Sequence, residues 1–422
     1  MTVVVMFTVL DRQVLALMIE PVKKDFGISD TQAALLLGAA FSLTYAIAGL
    51  PIARLADRNN RRNIVAASIA FWSLATMACG IAQNYTQLFL ARLCIGIGES
   101  GYGPASWSLI TDSFPREKVA FAVGTMNIGA QVGTGLALFA GGGALALVAH
   151  LPSVALPFGG VMHNWQWAFI LVGVPGLLWT LVVLGLKEPA RRGVSQAKKS
   201  VPVKEVALWV WKDGRAYLAS IGGVAMKYLL SLGPTVWLPT MIHRKFDWDL
   251  STVGLTVGAI TMVVAPIGLI TGGKLSEYWA RRGRADANMR IVLYGLLISV
   301  PLSIITPLLP NVWMVLACYA VSFFLASTGQ GPAIATFQLI TPNTMRAQVS
   351  SITQFCSNVL AYLLGPLIIA LFTDYIFGSP NQLHLSMALS TAVLGPLAIL
   401  CVWQGMKPYQ RAYERALRNF QN

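Results

Sequence analysis

Apolar residues run along this chain in long blocks that are separated by short polar segments. A helix of about 18 or more apolar residues is long enough to cross the ~30 Å hydrocarbon core of a bilayer. The pattern predicts twelve membrane-spanning helices, called spans 1 to 12. Their predicted bounds are 1–20, 31–56, 63–83, 86–112, 119–148, 165–186, 216–242, 250–275, 289–309, 312–340, 347–376 and 383–406. The predicted fold class is therefore an all-α membrane protein.

Composition excludes the soluble classes. Of the 422 residues, 55% are hydrophobic and 11% are charged, whereas a soluble protein carries about 25% charged residues. The net charge of +14 would suggest nucleic acid in a soluble protein, but here the basic residues lie in short loops between spans. We therefore expect the lipid bilayer as a partner and no nucleic acid. The histidines and cysteines show no metal-ligand spacing, so we expect no metal and no cofactor.

The lysines and arginines are distributed unequally between the two sides of the predicted spans. If both termini are cytoplasmic, 24 of the 31 basic residues lie on the cytoplasmic side, and three lie within spans. The opposite side holds only Lys23, Lys24, Arg244 and Lys245. Because cytoplasmic loops are enriched in Lys and Arg, this asymmetry predicts that both termini are cytoplasmic. We expect a multi-pass protein of a bacterial inner membrane.

The two halves of the chain repeat in sequence. Residues 25–62 align without a gap on residues 245–282, and Gly103-Pro104 corresponds to Gly331-Pro332. Two six-span halves in the same orientation form a parallel repeat, whose substrate site is expected between the halves. We predict an N-terminal bundle over 1–187, a basic linker over 188–215, a C-terminal bundle over 216–408 and a cytoplasmic tail over 409–422. Part of the linker is expected to lie on the membrane surface, and the protein is expected to be a monomer.

Four charged residues fall at mid-depth in the first half. Asp11 and Arg12 interrupt span 1, and Arg92 and Glu99 lie seven residues apart on one face of span 4. A charged side chain at the bilayer centre costs about 2.5–3.5 kcal/mol on insertion scales, and such residues usually mark substrate or proton pathways. We therefore expect the four side chains to converge.

The loop after span 2 resembles the signature of the major facilitator superfamily, Gly-x-x-x-Asp-Arg-x-Gly-Arg-Arg/Lys. Residues 53–62 carry the acidic and basic residues of this signature. Residues 273–282 repeat a basic residue, a leucine, an acidic residue and an Arg-Arg pair at the same spacing. The resemblance implies the major facilitator fold, with two pseudo-symmetric six-helix bundles. It also implies that these loops latch the halves together in the outward-facing state. The latch residues implied are Asp57, Arg61, Arg62, Glu277 and Arg281.

Two further motifs narrow the resemblance to the spinster branch of that superfamily. Spinster sequences characteristically carry Asp-Arg in the first span, as at Asp11-Arg12, and Gly-x-Gly-Glu-(Ala/Ser) in the fourth, as at Gly96 to Ser100. This resemblance implies a carrier of sphingosine phosphate or lysophospholipids. The Asp-Arg pair also occurs in the anion:cation symporter branch, so a small organic anion remains an alternative substrate.

The resulting hypothesis is a proton-coupled secondary transporter of an anionic amphiphile that works by alternating access. Arg12 would bind the anionic head, and Asp11, Glu99 and Arg92 would couple protons to transport. Polar and aromatic residues of the second half would complete the binding surface. The predicted substrate-binding residues are Arg12, Glu99, Ser231, Trp237, Phe337, Gln338 and Gln354. Lys227 either faces the interior or extends to the cytoplasmic interface.

Other function classes fit less well. A membrane enzyme would need a metal cluster or a nucleophile–base pair at depth, and no such spacing occurs. A receptor would not need the doubled loop signature. Ala130 replaces the proline that the drug-antiporter pattern carries in span 5, which disfavours drug/proton antiport of that type.

Overall fold

The computed structural model describes residues 1–148, 152–155, 160–190, 202–342 and 345–421. All six predicted spans of the first half are helical in it. Span 2 has three consecutive helical segments, and span 4 has two. The helices of spans 1 to 6 are Thr2–Phe26; Asp30–Ala34, Leu35–Ala39 and Ala40–Arg58; Arg61–Cys79; Tyr85–Ser100 and Tyr102–Ser113; Arg116–Val148; and Asn164–Leu184.

The six spans of the second half are helical as well. Several contain short π or 3₁₀ segments, which are common at helix ends and at functional sites. The helices of spans 7 to 12 are Gly214–Phe246; Leu250–Arg281; Ala287–Ile305 with Thr306–Leu308; Val312–Thr328 with Gln330–Leu339; Arg346–Val359 with Leu360–Leu364, Gly365–Leu371 and Phe372–Phe377; and Pro380–Gln382 with Leu383–Gln421.

Eleven helices in the described ranges are long and apolar enough to cross a membrane. Span 4 is the twelfth, because it breaks at Gly101 into two helices that are each too short to cross alone. Pro104 explains the break: it has no N–H to donate to the carbonyl of Ser100, four residues earlier, where the first helix ends. Span 10 breaks at Gly329 in the same way, since Pro332 lies four residues after Thr328.

Two elements lie outside the spans. A linker helix, Val203–Lys212, falls inside the predicted linker, and Trp209 donates from its ring to the Tyr217 hydroxyl at 3.1 Å. Two short antiparallel strands precede span 6, β1 (Val154–Ala155) and β2 (Val161–Met162). Span 12 continues as one helix through the predicted cytoplasmic tail.

By its contacts the chain forms two compact units. Unit 1 contains residues 1–194, 236–263 and 374–376, and unit 2 contains residues 195–235, 264–373 and 377–422. Unit 1 thus includes the C-terminal part of span 7 and the N-terminal part of span 8, which the sequence assigns to the second bundle. The predicted domain boundaries stay a prediction.

Glycines allow close helix packing in unit 1. Spans 1 and 5 approach each other at Gly133, where a methyl group would lie 3.0 Å from the Cα of Met6. Spans 5 and 8 approach each other at Gly135, where a methyl group would lie 2.7 Å from the carbonyl oxygen of Gly258. Small residues let helix backbones pack closely within a membrane.

Unit 2 has its own hydrophobic core. The core joins the linker helix to spans 7, 9, 10, 11 and 12, and it includes Val206, Tyr217, Met289, Phe337, Val349 and Val402. Tyr217 also bonds the Thr341 hydroxyl at 2.8 Å. The linker helix is therefore part of the packed unit.

Candidate functional site

The centre of the candidate site is an ion pair between span 1 and span 4. Nε of Arg12 donates to Oε2 of Glu99 at 2.8 Å, and Nη2 donates to the same oxygen at 2.5 Å. The Glu99 side chain is fully buried, while 17% of the Arg12 side chain is exposed. The other carboxylate oxygen of Glu99, Oε1, is buried without a hydrogen-bond partner in the part of the chain that the structure describes. Arg12 is therefore the more accessible partner of the pair.

Aromatic side chains of span 2 hold the Arg12 guanidinium from another side. Its central carbon lies 4.1 Å from the centre of the Phe41 ring and 5.5 Å from that of Tyr45. Gly96 makes this possible, because a methyl group there would lie 2.5 Å from the Phe41 carbonyl oxygen. Cation–π contacts of this kind contribute about 0.5–2 kcal/mol, more when they are desolvated.

Arg92 is completely buried below this pair. Its Nη1 donates to the backbone carbonyl of Asp11 at 3.1 Å, and its Nε donates to the carbonyl of Leu36 at 3.3 Å. Leu36 belongs to the π-helical turn Leu35–Ala39, where the wider turn disturbs the regular hydrogen-bond ladder. Asp11 is 3% exposed and interacts electrostatically with Glu99 and Arg92.

The structure thus brings the four mid-depth charges of the first half together in unit 1. Two acids and two bases balance each other formally. A buried set of this kind can hold an anion or a proton only if one internal pair gives way. The roles of the four residues in substrate binding and proton coupling stay predictions.

The predicted substrate-binding residues of the second half fall in different surroundings. Trp237 is fully buried in unit 1, while Phe337 is 3% exposed and belongs to the hydrophobic core of unit 2. Ser231 and Gln338 are half-buried in unit 2. Gln354 is exposed and donates to the side chain of Asn358 at 3.2 Å. Phe337 is therefore packed against protein in this conformation.

The loop signature of the first half forms a second charged cluster within unit 1. Arg61 is 1% exposed, and its Nε donates to Glu188 at 2.8 Å. It also donates to the Ser108 hydroxyl at 2.8 Å and forms an ion pair with Asp112. The backbone N–H of Arg62 donates to Glu188 at 2.9 Å. All these partners belong to unit 1.

The remaining predicted latch residues are placed as follows. The side chain of Asp57 lies outside the described residues. Glu277 and Arg281 form an exposed ion pair four residues apart on span 8, at 2.5 Å. The latch role of these residues stays a prediction.

Sequence reasoning missed a third cluster of charges in unit 1. Arg244 of span 7 donates to Asp30 at 2.7 and 2.9 Å and to Glu20 at 2.7 Å. Lys23 also pairs with Asp30, whose side chain is completely buried. The sequence signal was present, because Lys23 and Arg244 are two of only four basic residues on the predicted external side.

Comparison with known proteins defines the class of this protein. The sequence model of the Major Facilitator Superfamily matches residues 1–366. The chain belongs to this superfamily, and it is a multi-pass membrane transporter and not an enzyme.

Relatives with curated names cover most of the chain at low identity. An MFS-type efflux pump of Mycolicibacterium smegmatis is 24% identical over 95% of this chain and 90% of its own length. A probable L-galactonate transporter of Escherichia coli is 24% identical over 94% of this chain and 86% of its own length. Protein spinster of Drosophila melanogaster is 25% identical over 75% of this chain, but over only 51% of its own length.

A solved structure shows the same fold over nearly the whole chain. It is a bacterial homolog of the human lysosomal transporter Spinster in an inward-facing and unoccupied conformation. The TM-score is 0.80 at 25% identity, and the match covers 99% of this chain and 96% of the other. The predicted resemblance to the spinster branch and the predicted fold class are confirmed.

Proposed function

We propose that this protein is a proton-coupled transporter of an anionic amphiphile, such as a lysolipid or a sphingosine-phosphate-like molecule. The observation that carries this proposal is the buried pair of Arg12 and Glu99. Arg12 is a permanently charged anion-binding group, its side chain is partly accessible, and its counter-ion is a titratable carboxylate. The resemblance to spinster proteins supports the lipid-like substrate.

The proposed coupling follows from competition for Arg12. Glu99 accepts two hydrogen bonds from the Arg12 guanidinium. An anionic head can take these donors only if Glu99 releases them, and protonation of Glu99 removes the charge that holds Arg12. Asp11 is the second acid of the set, and Arg92 holds the Asp11 backbone at a fixed place. Binding of the anion and of a proton would therefore favour each other.

The wider transport cycle is part of the same proposal. We propose that both termini lie in the cytoplasm of a bacterial cell and that the protein acts as a monomer in the inner membrane. The loops with Asp57, Arg61 and Arg62 in one half, and with Glu277 and Arg281 in the other, latch the cytoplasmic side in the outward-facing state. Formation of this latch by Arg61 would then require it to exchange partners, since it is bound to Glu188 within unit 1.

A second candidate function is symport of a small organic anion with a cation. The named relative from Escherichia coli, a probable L-galactonate transporter, favours it. Arg12 would bind the carboxylate of such a substrate in the same way. The two candidates differ in whether the substrate needs an acyl chain.

Flux into proteoliposomes tests the proposal. Purified protein is assayed with a lysolipid panel and with short-chain carboxylates, with and without a pH gradient. We expect pH-dependent lysolipid flux in the wild type, flux without pH dependence in Glu99→Gln, and loss of substrate binding in Arg12→Ala. Glu414→Gln, an exposed glutamate of the C-terminal helix, is the matched control and should keep both properties.

Three results would contradict the proposal. Normal flux with full pH dependence in Glu99→Gln would remove the coupling role of Glu99. Wild-type affinity in Arg12→Ala would remove its role as the head-group site. Flux of short-chain carboxylates but not of lysolipids would favour the second candidate.

A further inference from the structure

Among the described residues of unit 2, one buried basic side chain within a span is not used by the proposed mechanism. Lys227 of span 7 is 9% exposed. The described part of the chain offers it no ion pair and no hydrogen bond. The aromatic ring of its neighbour Tyr228 has its centre 5.7 Å from Nζ.

An uncompensated buried cation is costly. Moving an ammonium group out of water costs several kcal/mol even after relaxation, and a nearby counter-ion normally offsets this cost. Arg12 and Arg92 illustrate the normal case, because each has carboxylates within electrostatic reach. Lys227 lacks such a partner among the described residues, so an anion from outside the chain would offset this cost.

The side chain points at the break in span 10. A methyl group placed on Gly329 would lie 3.1 Å from Cε of Lys227 and 3.9 Å from its Cδ. Gly329 caps the ten-residue helix Gln330–Leu339. The amino end of a helix carries about half a positive charge and readily binds anions. Gly329 also ends the helix Val312–Thr328, whose carboxyl end carries the opposite partial charge, so Lys227 is the group that makes this point positive.

The helix surface is loosely packed at Gly331, just after the break. A methyl group on Gly331 would meet only one atom within 4 Å, Cδ1 of Leu269, at 4.0 Å. Polar groups border this place, since the side chain of Gln330 donates to the hydroxyl of Tyr228 at 3.3 Å.

The repeat gives this place a counterpart in the first half. Span 4 breaks at Gly101-Tyr-Gly-Pro104 and span 10 breaks at Gly329-Gln-Gly-Pro332, with the same Gly-x-Gly-Pro spacing. Glu99, the partner of Arg12, lies two residues before the first break. The two breaks therefore hold a compensated charge in one half and an uncompensated charge in the other.

We propose that Lys227, at the break of span 10 before the helix Gln330–Leu339, forms an anion-binding site for a phosphate monoester or carboxylate group. The assignment of that group to the transported substrate rests on the proposed function. The anion site itself does not depend on it.

Binding to the purified full-length protein tests this site. The probes are dodecyl phosphate, inorganic phosphate and uncharged dodecanol, with dissociation constants from calorimetry and melting temperatures from tryptophan fluorescence. In Lys227→Met we expect at least a tenfold weaker dissociation constant for dodecyl phosphate and no change for dodecanol. Lys227→Arg should retain most of the affinity. Lys245→Met, in the same helix, is the control and should bind as the wild type does.

The ligand-free melting temperature separates a binding role from a structural one. Lys227→Met should melt at or above the wild-type temperature, because it removes an uncompensated charge. Its anion-induced stabilisation should disappear. A lower melting temperature together with unchanged affinity for dodecyl phosphate would show a structural lysine and overturn the proposal, as would a wild type that binds no anion.

The two probes also separate the sources of the anion. If Lys227→Met loses binding of both dodecyl phosphate and inorganic phosphate, the site recognises the anionic group itself. If the wild type binds dodecyl phosphate but not inorganic phosphate, and Lys227→Met loses the binding of dodecyl phosphate, the site binds a lipid headgroup. If inorganic phosphate binds through Lys227 but no amphiphile binds or is transported, the proposed substrate class fails and the anion site stands.

Discussion

Replacement of Arg244 by methionine should destabilise unit 1 strongly. Arg244 makes hydrogen-bonded ion pairs with Asp30 and with Glu20, and its own side chain is 6% exposed. Methionine keeps the length of the aliphatic stem but removes all these bonds. The substitution leaves Asp30, whose side chain is fully buried, with Lys23 as its ion-pair partner.

The expected magnitude follows from the burial of the partners. Removal of one partner from a buried ion pair costs about 3–5 kcal/mol, because a charge stays buried without its counter-ion. Lys23 compensates Asp30 in part, and Glu20 is 22% exposed and can be hydrated. We therefore expect the lower end, about 3 kcal/mol, which is roughly a hundredfold in the unfolding equilibrium.

A double-mutant cycle measures this coupling. Unfolding free energies in mixed micelles are compared for Arg244→Met, Asp30→Asn and the double variant. The double variant should lose less than the sum of the single losses, because neither charge is then left alone. Arg281→Met breaks an ion pair whose side chains are 78% and 61% exposed, so it should cost about 0–1 kcal/mol.

Two results would refute the reasoning. One is a decrease in unfolding free energy in Arg244→Met that is as small as the decrease in Arg281→Met. The other is strict additivity in the cycle, which would mean that Arg244 and Asp30 do not stabilise each other despite their 2.7 Å bond.

Two further predictions concern packing and pH. Gly142→Val should destabilise the protein and reduce transport, because a methyl group there lies 2.7 Å from the Ser251 carbonyl oxygen, while Gly143→Val, with no atom within 4 Å, should melt as the wild type does. Burial raises the pKa of Glu188, but hydrogen bonds from Arg61 outweigh it, so the pKa lies below its usual value of 4.5. The stabilisation by this carboxylate is therefore present at neutral pH and is lost as the pH falls through the lowered pKa. Glu188→Gln should melt below the wild type at pH 7, and the difference should shrink below about pH 4.5; a pH-independent difference would contradict the assigned charge interaction.

The fold was predictable because the bilayer constrains it strongly. Every span must satisfy its backbone hydrogen bonds internally, so apolar length alone identifies helices. The convergence of Asp11, Arg12, Arg92 and Glu99 was predictable for a related reason: isolated charges at that depth are too costly. The break of span 4 was implicit in Pro104, whose missing donor ends the helix four residues earlier.

Other parts of the site depend on packing that no local pattern reveals. Phe41 and Tyr45 read as ordinary apolar residues of span 2, and only the close approach at Gly96 brings them to Arg12. Phe337 was predicted to bind substrate because it lies beside polar residues in the sequence. An aromatic residue in that position can face either a substrate or the core, and Phe337 packs in the core. Arg244 was counted as a loop charge, since sequence gives no distance between spans 1 and 7.

In the proposed mechanism, the distribution of charge between the two breaks determines the order in which the anion meets Lys227 and Arg12. In the first half Arg12 is already compensated by Glu99, so an incoming anion gains little there until a proton neutralises the carboxylate. At the second break Lys227 has no such competitor among the described residues, and an anion gains its full attraction at once. An anionic substrate should therefore bind Lys227 independently of Glu99, and reach Arg12 only when Glu99 is protonated. In the proposed mechanism, proton coupling would then depend on the first half and the initial binding of the anion on the second half.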